Sequence, residues 1–237
     1  MLSLPVYKTG ASYTIQPSKI IALGMNYREH LKEVTKAQIS DKAIEEPPEP
    51  ILFAKTPNVL VGPDQPILIP AILSRYDFNP PRIDYEAELA IIIKDTCRNV
   101  PEKEAWDHIY GFTCMNDVSQ RDLQRLDKSG WFRGKSFDTF GPVGPQIVLK
   151  EDLPDAQNLR IECRLNGKLV QSASTADMIF DIAAMISFIT HNFTLNAGDI
   201  IASGTPSGVG PIAAGDVVEV EVEKIGILRN PVRAETL

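Results

Sequence analysis

The sequence predicts a mixed, mainly β fold with short peripheral helices. Short apolar, β-branched runs recur along the chain, and Gly, Pro, Asn or Asp separates them as turns require. Only one stretch is long and apolar enough to read as a clear helix. Strands and helices do not alternate as repeated βαβ units, and no internal repeat stands out. At 237 residues the chain can bury one sizeable core. We divide it into a short N-terminal segment, 1–19, and a single compact domain, 20–237.

Residues 1–20 are polar with strand fragments. Ile20-Ile21-Ala22-Leu23-Gly24 is a brief apolar strand running into Met25-Asn26-Tyr27. From Arg28 to about Ser40 the residue types favour a helix, although its apolar stripe is thin. Glu45-Glu46-Pro47-Pro48-Glu49-Pro50 cannot continue it, because proline lacks the donor and restricts its predecessor. Two readings of 28–48 are open, a substrate-ordered lid and an ordinary exposed connection. Strands are expected at 51–54, 59–61, 67–70 and, most clearly, 86–94. Pro101 opens a short helix to Ile109, with Glu102 and Glu104 in its first turn. A strand over 111–118 precedes a short helical segment over 119–127. Asn166-Gly167 marks a hairpin between 159–166 and 168–172. The clearest helix runs from Ile179 to about Thr190, and strands follow at 199–203 and 217–222. The last alternates strictly, so an edge that pairs across a dimer and an edge guarded by Glu219, Glu221 and Glu223 are both open.

A formal net charge of −7 with no basic cluster argues against a nucleic-acid partner. No apolar run approaches the ~20 residues of a membrane span, and no signal pattern opens the chain. Cys97, Cys114 and Cys163 form an odd set without C-x-x-C spacing. Reduced, packed thiols in a cytoplasmic protein are the plain reading, so oxygen rather than sulfur should hold any metal.

The chemistry starts at Asp84-Tyr85-Glu86-Ala87-Glu88-Leu89-Ala90. A strand's period of two puts Glu86 and Glu88 on one face, continued by Ala90 and Ile92. Like charges beside buried positions are destabilising unless they share a cation. The competing reading is an exposed edge with two solvated glutamates. Asp117 ends an apolar strand and supplies a third carboxylate, a set that suits Mg²⁺ or Mn²⁺ and leaves positions for water and a chelating substrate. Asp84 reads as turn chemistry. Asp122 reads as a helix start or as a partner of Arg121 or Arg125.

Among the three histidines, His108 lies in the surface-like helix and His191 near a helix C-terminus. His30 follows the strand ending at Gly24, with Glu33 three residues on, where a carboxylate can orient an imidazole that activates water. The alternative is an ordinary surface His–Glu pair. Lys135, in Arg133-Gly134-Lys135, and Thr205, in Gly204-Thr205-Pro206-Ser207-Gly208, read equally well as loop residues. The latter loop lacks phosphate-loop spacing.

Five segments together resemble the fumarylacetoacetate hydrolase family. They are Gly24-Met25-Asn26-Tyr27-Arg28-Glu29-His30 with Glu33; Tyr85-Glu86-Ala87-Glu88-Leu89; Asn116-Asp117-Val118-Ser119-Gln120-Arg121-Asp122; Arg133-Gly134-Lys135-Ser136-Phe137-Asp138-Thr139-Phe140-Gly141-Pro142; and Gly204-Thr205-Pro206-Ser207-Gly208-Val209-Gly210. They stand in the family's order over roughly residues 20–225. The resemblance implies a β-roll or sandwich, usually a homodimer, in which Glu86, Glu88 and Asp117 hold Mg²⁺ or Mn²⁺. It makes His30 and Glu33 a water-activating dyad on a segment that orders with substrate. It makes Lys135 an oxyanion-stabilising group, and Arg121, Gln124 and Thr205 contacts to a 2-keto carboxylate substrate.

The resemblance is to the short acylpyruvase-like branch. It implies hydrolysis of the C3–C4 bond of acylpyruvates through a metal-bound enolate, with His30 drawing a proton from the attacking water. The same chemistry serves the 2-hydroxyhepta-2,4-diene-1,7-dioate isomerase or 5-oxopent-3-ene-1,2,5-tricarboxylate decarboxylase of aromatic-compound catabolism. It also serves an oxaloacetate decarboxylase or tautomerase. A metal-stabilised interaction domain without turnover is the non-enzymatic alternative.

Overall fold

The structure, a computed structural model, describes residues 2–37, 45–128 and 130–236, excluding the side chains of 34–37. Two sheets carry the fold, as the alternating and continuous apolar runs require. The larger has seven strands in the spatial order Ile51–Lys55, Ile20–Gly24, Ile200–Ala202, Ala87–Ile93, Ile109–Asn116, Gly141–Leu149 and Leu60–Val61. The second has five, in the order Lys168–Ser174, Arg160–Leu165, Val217–Val222, Gly226–Ala234 and Ile67–Ile69. Arg160–Leu165 and Val217–Val222 lie against Ala87–Ile93, while Gly226–Ala234 lies against Ile109–Asn116. Leu89, Ile91, Phe112, Cys114, Ile161, Cys163, Val220 and Leu228 belong to the resulting core. Full burial of each aliphatic or aromatic side chain of this kind contributes about 1.5–3 kcal/mol.

The expected strand over 86–94 is Ala87–Ile93, and a separate short strand precedes it. Ile83–Tyr85 belongs to a small sheet with Ser119–Gln120 and Gly210–Pro211, whereas Ala87–Ile93 belongs to the large one. Its neighbour changes sheet at the same level, since Ala87 pairs with Asn116 and Ser119 pairs with Asp84. Glu86 and Asp117 occupy the two junctions, tied by a hydrogen bond from Asp117 N to Glu86 O at 2.9 Å. The main chain therefore brings the acids together where the ladders part.

Helix Ile182–Asn192 starts later than expected, because the Asp181 side chain caps it by accepting from Ala184 N at 2.8 Å. It buries Ile182, Met185, Ile186 and Ile189 and packs on the 3₁₀ helix Glu102–His108. Val217–Val222 is not an edge: strands flank it on both sides. Glu221 accepts from Arg160 at 3.0 Å and Arg164 at 2.8 Å, so cross-strand pairing explains its alternating acids. Gly141–Leu149 and Gly226–Ala234 were not expected, since Pro142, Pro145 and Pro231 interrupt the strand pattern. The segment 28–48, read as either a lid or an exposed connection, lies partly outside the described residues, which include a helix Arg28–Ala37.

Asp199 ties the N-terminal segment to the large sheet. Its carboxylate accepts from Ser18 N at 2.9 Å, Ser18 Oγ at 2.7 Å, Lys19 N at 3.0 Å and Asn196 N at 2.8 Å, and it pairs with Lys19 Nζ. Burial alone would raise its pKa, but Lys19 and these donors outweigh burial and hold it below the ordinary carboxylate value. Asp199→Asn is expected to lower stability by roughly 2–4 kcal/mol at neutral pH. A depressed folded pKa stabilises above the unfolded value and is lost as pH falls through the folded one. Denaturant midpoints should therefore separate mutant from wild type at pH 7 and converge in acid. Equal midpoints at pH 7 would refute the assignment.

Candidate active site

Strand Ile20–Gly24 is followed by Met25, whose φ is +56°, and Asn26 then fastens the turn. The Asn26 amide donates to Ser203 O at 2.8 Å and Phe180 O at 3.1 Å, while its oxygen accepts from Phe180 N at 2.8 Å. Gly204 has φ +94°, and a Cβ there would lie 2.8 Å from that of Asn26. Glycine is therefore required by both conformation and contact. Its N–H donates to Glu88 Oε2 at 2.9 Å.

The turn delivers helix Arg28–Ala37 with His30 buried and facing the cavity. His30 Nδ1 lies 3.1 Å from Glu33 Oε2, and Gly208 N donates to the same oxygen at 3.1 Å. Burial would raise the Glu33 carboxyl, but His30 and Gly208 N–H hold it below its ordinary value. The expected pair is thus present as a dyad on one helix, clamped by the Gly208 loop.

Glu86, Glu88 and Asp117 are 4%, 1% and 0% exposed, which rejects the solvated edge. One oxygen from each lies within 4.8 Å of the others. Lys135 Nζ bridges Glu86 Oε2 and Asp117 Oδ2, both at 2.6 Å. Lys55, fully buried, pairs with Asp117 Oδ1 at 2.6 Å and also donates to Val118 O and Lys135 O. Its three donors are thereby used, as an ammonium requires. Burial pushes the Glu88 carboxyl up and the charges of Asp117 and Glu86 push it further. Burial acts likewise on Glu86, but Arg121 and Lys135 outweigh it and lower that carboxyl. Three crowded oxygen donors, one of them driven toward its neutral form, fit a hard divalent cation such as Mg²⁺ or Mn²⁺.

Arg121 pairs with Glu86, donates to Asp84 Oδ2 at 2.8 Å and reaches Gln124 Oε1 at 3.0 Å. Asp84 is a fully buried strand residue between Arg82 and Arg121, which corrects its reading as a turn residue. Asp122 pairs with neither Arg121 nor Arg125; it accepts from Arg82 N at 2.7 Å and Gln120 Nε2 at 2.9 Å. Thr205 Oγ1 accepts from Gln171 Nε2 at 2.9 Å, leaving its own proton to donate elsewhere. Gln171 Oε1 also accepts from Ala87 N at 3.1 Å.

A cavity of about 540 Å³ gathers His30, Glu33, Glu86, Glu88, Lys135, Arg121, Gln124 and Thr205. Phe53 and Trp131 line its apolar side, and Arg82 and Arg125 also border it. Asp117 stands behind, joined through Lys135 and Lys55. Sequence reasoning missed Lys55, Arg82, Arg125 and Gln171. Lys55 had one signal, a cation closing an apolar run. The others had none above ordinary surface or strand polarity.

A family model described as the fumarylacetoacetate hydrolase C-terminal domain matches residues 19–233. A mitochondrial oxaloacetate tautomerase of Xenopus laevis is 42% identical over 225 residues, 91% of this chain and 66% of that protein. A structure of 5-carboxymethyl-2-hydroxymuconate delta-isomerase from Mycobacterium smegmatis is 37% identical with a TM-score of 0.81, covering 97% of this chain and 87% of that one. A maleylpyruvate hydrolase from Sphingobium sp. SYK-6, solved with manganese(II) and pyruvate, is 32% identical with a TM-score of 0.76, covering 94% and 73%.

Lys55→Met is expected to leave Asp117 short of a cation and to lower metal-free stability by about 3–5 kcal/mol. Manganese should then raise the melting temperature of the variant more than that of wild type. An unchanged urea midpoint without metal would refute this role.

Proposed function

Because the chain belongs to the fumarylacetoacetate hydrolase family, we propose that it is a divalent-metal-dependent enzyme acting on enolisable 2-oxo acids. We assign it first to keto–enol tautomerisation of a 2-oxo dicarboxylate such as oxaloacetate. The observation that carries this reading is a buried three-carboxylate cluster opening on the same cavity as the His30–Glu33 dyad. A metal-stabilised interaction domain would have no use for a clamped base beside that cluster.

Charge favours a dicarboxylate. Glu33, Asp84, Glu86, Glu88 and Asp117 face Lys55, Arg82, Arg121, Arg125 and Lys135. Five acids thus balance five permanent cations, so a divalent ion leaves an excess of two positive charges, matching a dianion. Arg82 and Arg121 are engaged by Asp84, whereas Arg125 is exposed and makes no ion pair among the described residues. Arg125 is placed to receive the distal carboxylate. The oxaloacetate tautomerase relative agrees with that choice.

Glu86, Glu88 and Asp117 would hold the metal, which when bound supplies Lewis-acid polarisation of the 2-oxo group. Arg121, Gln124 and the free Thr205 proton would orient the proximal carboxylate. His30, its tautomer set by Glu33, takes a proton from C3. The C3–H electron pair becomes the C2–C3 double bond, and the imidazolium returns the proton to the 2-oxygen. Lys135 offsets charge developing on that oxygen. Hydrolysis of an acylpyruvate is the second reading. It has support from the manganese- and pyruvate-bound maleylpyruvate hydrolase likeness and needs His30 to deprotonate water instead.

With Mg²⁺ or Mn²⁺ present, the protein is expected to accelerate decay of enol-oxaloacetate absorbance, and a chelator should abolish the effect. Loss of acylpyruvate absorbance instead, with no effect on oxaloacetate, would select hydrolysis. Activity on neither would overturn both. His30→Ala should reduce kcat about 10²–10⁴-fold while metal binding survives. Arg125→Gln should raise KM for oxaloacetate roughly tenfold with a smaller change in kcat and leave monocarboxylate 2-oxo acids unaffected. An equal effect on both substrate classes would refute distal-carboxylate recognition.

A further inference from the structure

At the end of Ala87–Ile93 remote from the carboxylates, the chain assembles a different donor set. Asp95 and Cys97 flank Thr96 in the turn after Ile93, and His108 closes the 3₁₀ helix Glu102–His108. Lys94 N donates to His108 O at 2.8 Å, pinning the helix end beside the turn. Cys97 is held from the other side by hydrogen bonds with Leu195, N to O at 2.9 Å and O from N at 3.1 Å. One ligand atom from each of Asp95, Cys97 and His108 lies within 4.8 Å of the others. Tetrahedral zinc with bonds of about 2.0–2.3 Å needs donor separations of roughly 3.3–3.8 Å, so small side-chain rotations close the set.

From this geometry we infer that Asp95, Cys97 and His108 form a second metal site, one that takes Zn²⁺ or a similar borderline ion. An ion pair accounts for Asp95 and His108 alone, since Asp95 Oδ1 and His108 Nδ1 lie 2.6 Å apart. It does not account for the third donor: Cys97 is 5% exposed, and its sulfur has no hydrogen-bond partner among the described residues. The Asp95 side chain is half exposed and that of His108 a quarter exposed, giving an ion a path from solvent and a water its fourth position. Sulfur, nitrogen and oxygen together select zinc-class ions, whereas the oxygen-only cluster selects Mg²⁺ or Mn²⁺. Along a strand rising about 3.3 Å per residue the two sites stand roughly 20 Å apart. The bound ion clips the turn after the central strand to the 3₁₀ helix.

The test is a Co²⁺ titration of metal-stripped full-length protein in excess Mg²⁺, which occupies the carboxylate cluster. Wild type should show a near-ultraviolet thiolate-to-cobalt charge-transfer band with visible bands of four-coordinate cobalt, both abolished by Zn²⁺ and unaffected by Mn²⁺. Cys97→Ser should remove the charge-transfer band. His108→Ala, at a partly exposed position less exposed to folding failure, should weaken cobalt binding more than about tenfold. Zn²⁺ should raise the melting temperature of wild type and of neither variant. Absence of the charge-transfer band in wild type overturns the site. So does its survival in Cys97→Ser, because the sulfur would then be Cys114 or Cys163, or undiminished affinity in His108→Ala.

Discussion

Everything at the functional end of this molecule depends on placing three carboxylates where water does not reach them. Glu86, Glu88 and Asp117 approach within 4.8 Å, and at an effective dielectric near ~20 each close like-charged pair repels by roughly 3 kcal/mol. Burial adds the cost of desolvation. The protein meets this with cations of its own: Lys135 between Glu86 and Asp117, Lys55 behind Asp117, and Arg121 beside Glu86. Among the described residues Glu88 has only a backbone donor, Gly204 N–H, and burial beside Asp117 and Glu86 raises its pKa. Such an arrangement of oxygen donors suits a divalent cation. The cluster is therefore an electrostatic demand as well as a collection of ligands.

The sheets make that demand sustainable. Two adjacent strands leave the large sheet at the same level, and the junction residues Glu86 and Asp117 face one another across it. Because the ladders part there, Glu86 turns toward a cavity instead of into the core, with Asp117 behind it. Loops fastened by side-chain amides complete the wall: Asn26 joins the His30 turn to Ser203, and Gln171 joins Thr205 to Ala87. His30 and the carboxylates consequently sit on mutually braced elements. Glu33 extends the bracing to Gly208, tying the dyad to the Thr205 loop.

How much of this was legible depended on range. A period of two places Glu86 and Glu88 together, the end of an apolar strand marks Asp117, and i, i+3 spacing pairs His30 with Glu33. These are local relations that a sequence carries directly. Lys135, Arg121, Gln124 and Thr205 were identified through family motifs, since each alone reads as an ordinary loop or helix residue. Lys55 and Gln171 act across 62 and 34 residues respectively, on Asp117 and Thr205, and no local pattern encodes such partners. Asp84 was misread for the same reason: its partner Arg121 is 37 residues away. The strands at Gly141–Leu149 and Gly226–Ala234 were hidden by proline, and Val217–Val222 alternates identically whether neighbours flank it on one side or two.

The sequence by itself determined the mainly β class, the paired glutamates with their third acid, and the His30–Glu33 couple, because each follows from residue type and short-range backbone period. Only the tertiary structure decided that the chain changes sheet at Glu86, that Lys55 and Lys135 neutralise the cluster, and that Arg125 borders it with no ion pair among the described residues. Burial and charge compensation are sums over elements distant in the chain, and they take a sign only once the sheets have closed around them.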